Sequence, residues 1–113
     1  MPTPISNLNF SATEYGLMLG AIKSFDVNEV GFSRRKASQF KRLASSCYDK
    51  IAHDEFFNLT PYELGVLIII INFALERLDN YAHIPEALNN KLMLQGALSK
   101  INIFAEQKGL SKY

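Results

Sequence analysis

The stretch from Thr60 to Leu78, TPYELGVLIIIINFALERL, constrains this chain more than any other segment. Thr60 is a good N-cap, Pro61 suits the first helical position, and Glu63 is the reciprocal partner of a capping box. Leu59 and Leu64 supply a hydrophobic staple across that start. The helix so begun is then apolar on nearly every face, whereas a surface helix keeps one polar side. It is therefore expected to be the central strut of the fold, or a helix shared with a partner.

One face of that helix, Leu64, Leu67, Ile68, Ile71, Leu75 and Leu78, suffices for an internal core. Val66, Ile69, Ile70 and Phe73 form a second face about 100° or more away by helical geometry. Burying a side chain of this kind is worth about 1.5–3 kcal/mol. Four of them left in water would forfeit much stabilisation and invite aggregation. These four are the candidate apolar interface, with a homodimer or a protein partner as the cover; the alternative cover is a third helix of the same chain.

The greasy run is too short for a membrane. Leu64–Ile71 spans eight residues, and a spanning helix needs about 20. The first ten residues, MPTPISNLNF, lack the basic region and apolar run of a signal peptide. With Cys47 as the single cysteine an intramolecular disulfide is impossible, which fits a reducing compartment. The expectation is a soluble, cytoplasmic protein with no membrane partner. At 113 residues and 48% hydrophobic content the chain suits one domain able to build a core without metals or disulfides.

The remaining pattern is helical throughout. Residues 1–10 read as an extended lead-in, since Pro2 and Pro4 discourage helix. Helices are expected at about 11–26, 33–54, 60–79 and 85–108. Ser11, Glu14, Phe10 and Tyr15 repeat the capping-box and staple signal at the first start. Its core stripe is Tyr15, Met18, Leu19, Ile22 and Phe25; that of the second helix is Ala37, Phe40, Ala44, Cys47, Tyr48 and Ile51. For the second helix Ser33 and Asp26 are rival starts. The fourth is assigned Leu88, Leu92, Ala97, Leu98, Ile101, Phe104 and Ala105 as its stripe, with Gly109 as terminator. The fold class is all-α, a four-helix bundle or two stacked helical hairpins.

An internal duplication is one reading of a further pattern. Residues 9–22 laid over 58–71, an offset of 49, match Asn9, Glu14, Gly16 and Ile22 identically. At an offset of 50, Lys41, Lys50 and Ile51 meet Lys91, Lys100 and Ile101. The bland account is that capped amphipathic helices resemble one another. Gly16, Gly20 and Gly65 are candidates for close helix approach under either account.

The sharpest polar constellation is basic. Arg34, Arg35, Lys36, Lys41 and Arg42 place five of twelve cationic residues within nine positions, and no acid occurs between Glu29 and Asp49. On a helix Arg34, Lys41 and Arg42 share a face with Ser38 and Ser45. If Ser33 is the cap, three cations occupy the first turn and oppose the helix macrodipole, at about 0.3–1 kcal/mol each. A local cost without a local benefit points to an anionic partner, either phosphates or the acidic face of a protein. The alternative account is an ordinary solvated helix face, and the dipole cost vanishes if the helix begins at Asp26.

No catalytic or cofactor motif stands out. Asp49 with His53 and Asp79 with His83 have helical spacing, but two histidines and one cysteine are too few for a zinc site. Cys47 lies on an apolar stripe, where cysteine behaves as a small core side chain. The six glycines form no phosphate loop. No cofactor and no metal are expected. The reading is a small non-enzymatic interaction module, an adaptor, regulator or inhibitor, of the kind found among phage accessory proteins. The alternative is a nucleic-acid-associated regulator that grips phosphates through residues 34–42. A distant third is an enzyme with a pocket near His53 and Tyr81.

Overall fold

The computed structural model describes residues 10–107, so all but Phe10 of the lead-in expected over residues 1–10, and Gly109, lie outside the described part. Four helices follow in order: α1 Ala12–Ser24, α2 Arg34–Ala52, α3 Pro61–Asp79 and α4 Pro85–Gln107. Short 3-10 turns at Val27–Val30 and Phe56–Asn58 precede α2 and α3, and no strand occurs among the described residues.

α1 packs on α2, α3 and α4, and α3 packs on the other three as well, while α2 and α4 flank this central pair on opposite sides. α1 and α3 run in the same direction. Phe10 and Phe56, just before their starts, have ring centroids 5.0 Å apart, and Phe25 and Phe73 meet at 5.5 Å near their other ends. α2 and α4 run against them, since Lys50 and Lys100 near their C-terminal ends reach the first turns of α3 and α1. The result is an up-down-up-down four-helix bundle.

Both starts with a capping box are formed as expected. The Ser11 and Glu14 backbone N–H groups donate to the Glu14 carboxylate and the Ser11 hydroxyl at 2.7 and 3.1 Å. Thr60 and Glu63 repeat this at 2.8 and 3.2 Å. The first staple is in place too, with Phe10 and Tyr15 edge to face at 5.4 Å. The start of α2 resolves in favour of Ser33, whose hydroxyl accepts from the Lys36 N–H at 3.3 Å. Asp26 caps only the preceding 3-10 turn, which Gly31 ends in the left-handed region at φ 76°. Arg34, Arg35 and Lys36 therefore do occupy a first turn with no acid in it.

Two core assignments need correction. On α4, Leu88 and Leu92 are 40% and 57% exposed, and Leu94 is buried in their place beside Ala97, Ile101 and Phe104. Leu92 sits five residues before Ala97, about 140° around a helix, so one stripe cannot hold both. On α3, the chain itself covers half of the second face. Val66 and Ile70 are 6% and 1% exposed, because α3 has three helical neighbours. Ile69 and Phe73 are half-buried. Gly16 and Gly20 are exposed, and a Cβ on either would meet nothing within 4 Å, so neither mediates a close helix approach.

Candidate functional site

The two capping glutamates are more than caps. Both are buried, and each receives a lysine from the neighbouring antiparallel helix: Lys100 Nζ lies 2.8 Å from Glu14 Oε1, and Lys50 Nζ lies 2.8 Å from Glu63 Oε1. The pairs exchange under the sequence offsets of 49 and 50, so the two halves are built alike. The match fails at one atom. Ser46 Oγ hydrogen-bonds Glu63 Oε2, whereas fifty residues on stands Gly96, whose missing Cβ would lie 3.5 Å from Glu14 Oε2. Burial raises the Glu63 carboxyl, but hydrogen bonds from Lys50, Ser46 and the Thr60 N–H, with the Lys50 charge, outweigh it and hold it at about 2. Glu14 is lowered for the same kind of reason, with burial opposed by Lys100 and Ser11.

Cys47 is fully buried and donates its S–H toward the Glu63 carbonyl at 3.1 Å. Burial, with the Glu63 charge behind it, pushes the thiol up to about 12, the opposite of what a nucleophile needs. His53 closes α2, its Nδ1 2.7 Å from the Asp49 carbonyl. Tyr81 follows the far end of α3, about 28 Å along that helix. The two do not share a pocket. Among the described residues no group of three or more His, Cys, Asp or Glu is placed to hold a metal ion. No described helix is long and apolar enough to cross a membrane.

Among the described residues, two concave surfaces stand out. The first is an apolar cleft of about 220 Å³ among α1, α3 and α4, with Gly16, Leu17, Gly20 and Ser24 on one wall and Ile70, Phe73, Ala74 and Leu78 on the other. Thus two of the four expected interface residues, Ile70 and Phe73, line it. The cleft exists because the second half closes less well than the first. Phe40 on α2 packs on Phe25 at 5.2 Å, which in turn meets Phe73. Fifty residues on from Phe40 stands Asn90, and α1 offers Gly20 where α3 has Ile69.

The second is a trough between α1 and α2. Two cavities of about 330 and 470 Å³ adjoin at Val27 and Lys41. Lys23, Arg34 and Lys41 stand on its rim with Ser38 and Ser45. Of the five expected basic residues, the structure brings Arg34 and Lys41 to this trough and leaves Arg35, Lys36 and Arg42 exposed elsewhere on α2. None of the five makes an ion pair with a described residue. Lys23 was invisible as a member, since only the packing of α1 on α2 places it there. Comparison with protein-family models, curated proteins and solved structures finds no match for this chain.

Proposed function

We propose that this chain is a small non-enzymatic helical interaction module, an adaptor or regulator acting in the cytoplasm. Its docking surface for a protein partner or a second copy is the cleft among α1, α3 and α4. The observation that carries this reading is the cleft itself, an apolar concavity bordered by the half-buried Leu17, Phe73, Ala74 and Leu78 that the chain leaves unfilled. The ionisable groups with shifted affinity for protons support a non-catalytic role. Glu14 and Glu63 are committed to caps and lysines, and Cys47 is sealed in the core.

A photo-crosslinking residue at Ser24, which lines the cleft, tests the proposal in cells that make the protein, alongside light scattering of the pure chain. The expected result is one discrete adduct, to a second copy or to another protein. It disappears when the crosslinker is moved to exposed Asn102 or when Gly20→Leu fills the cleft. A chain that stays monomeric and gives no adduct specific to position 24 overturns the proposal.

A second reading, binding of nucleic-acid phosphates, is favoured by one observation: five exposed cations without ion-pair partners among the described residues. Its affinity for a labelled duplex or single strand would fall steeply with salt. Absence of binding at low salt removes it.

A further inference from the structure

Lys41 and Lys91 stand fifty residues apart at matching places on α2 and α4. Lys91 is neutralised within the chain by Asp79 at 2.6 Å. Counting back from Asp79 the forty-nine residues that relate α3 to α1 leads to Val30. Lys41 has no ion pair among the described residues. Two further exposed cations, Lys23 and Arg34, share its trough. Two acids near in sequence are placed elsewhere. Asp26 accepts the Asn28 N–H at 3.0 Å, and Asp49 lies one turn beyond Ser45.

Between the cations the floor is apolar, formed by the buried side chains of Ile22, Val27 and Ala44. We infer that this trough is a second binding site and that its occupant is an acidic amphipathic helix of a partner protein. Apolar side chains at helical spacing rest on Ile22, Val27 and Ala44, and carboxylates pair with Lys23, Arg34 and Lys41. Three exposed cations spread over two adjoining cavities are more than one small anion can meet. Nucleic acid would satisfy the cations and waste the apolar floor. Phe25 and Phe32 already pack on Phe40 at 5.2 Å each, which takes them from base stacking. The inference rests on the reading of the chain as an interaction module, but not on the cleft, which lies on the other side of α1 and shares only Phe25 with the trough.

The test is fluorescence anisotropy with a labelled designed peptide carrying leucine at i, i+3, i+4 and i+7 and glutamate on its other face. The comparators are a scrambled peptide of the same composition and a labelled DNA duplex. The ordered peptide is expected to bind saturably, with the scrambled peptide at least about tenfold weaker. Lys41→Glu and Lys23→Glu, both at exposed positions and checked for folding by circular dichroism, weaken the ordered peptide by about tenfold each. Gly20→Leu leaves it unchanged, so failure of the cleft proposal and failure of this one are separable. Equal binding of the scrambled peptide, indifference to both charge reversals, no peptide binding at low salt, or preference for the duplex would each overturn the inference.

Discussion

Gly96 offers the most direct test of the correspondence between the two halves. In the second pair, Glu63 Oε1 takes the Thr60 N–H and Lys50, and Oε2 takes Ser46. In the first, Glu14 Oε1 takes the Ser11 N–H and Lys100, and the space beside Oε2 belongs to Gly96. Gly96→Ser should place a hydroxyl there, since a Cβ at 3.5 Å from Oε2 is in ordinary contact. Gly96→Ala separates backbone from bond. Alanine gains about 0.8–1.0 kcal/mol over glycine inside a helix, and serine keeps roughly half of that. A hydrogen bond to an ionised acceptor adds about 1.5–3 kcal/mol when shielded; Gly96 is exposed, so ~1 kcal/mol is the fair figure. Serine should then exceed alanine by ~0.5 kcal/mol, or about 2–4 °C in Tm. The pH dependence is the stronger discriminator. Glu14 is already held below its ordinary value, so the stabilisation it supplies is present above about pH 4.5 and is lost as pH falls through the folded value. Serine deepens that depression and alanine does not. Urea unfolding at neutral pH and at successively lower pH below about 4.5 should show the serine advantage at the first and its shrinkage along the second. A serine variant no better than alanine, or better by the same margin at every pH, refutes the correspondence at this atom.

Two further predictions concern the buried network. Lys50→Met leaves Glu63 buried without its charge partner and should cost about 2–3 kcal/mol in urea unfolding at neutral pH. Lys100→Met should cost ~1 kcal/mol or less, because that lysine is 36% exposed against 27%. The Lys50→Met deficit shrinks as pH falls from about 4.5 toward 2, where Glu63 takes up its proton; equal costs at the two lysines would contradict the burial difference. Cys47, with its thiol raised to about 12 and no exposure, should react with an aromatic disulfide reagent only at the rate of unfolding, and prompt native-state labelling would contradict its placement.

Local features of this fold were legible because their causes span three or four residues. Ser11 with Glu14 and Thr60 with Glu63 announce their helices by hydrogen bonds that close within one turn. The core stripe of α2 was legible for a related reason: Phe40, Ala44, Cys47 and Ile51 keep a strict helical period against a polar remainder. α4 lacks that contrast. With apolar residues at 88, 92, 94, 98, 101 and 103, its period admits two registers, and only packing against α1 and α3 selects Leu94 over Leu92. The cover over Val66 and Ile70 is a tertiary fact of the same sort. The lysine clamps had left a trace, since Lys50 and Lys100 align at offset 50 while Glu14 and Glu63 align at 49, but the pairing of α1 with α4 joins residues 86 apart and no local rule reaches that far. The trough was half visible: helical spacing grouped Arg34 with Lys41, whereas Lys23 and the apolar floor between them arrive from another helix.

Comparison of the halves also separates what the frame requires from what it does not. Positions inside agree in kind: Ile51 with Ile101, Met18 with Leu67, and each glutamate with its lysine. Positions outside have moved in opposite directions. Arg34, Ser38 and Arg42 on α2 correspond to Ile84, just before α4, and Leu88 and Leu92 on it, and all six are exposed. Neither set helps its own helix. Cations in the first turn of α2 oppose its dipole, and leucines in water on α4 forgo burial. A shared frame cannot explain both, because it presents equivalent positions to solvent. The difference therefore lies in the side chains of each flank, basic on α2 and apolar on α4, on opposite sides of the α1–α3 pair.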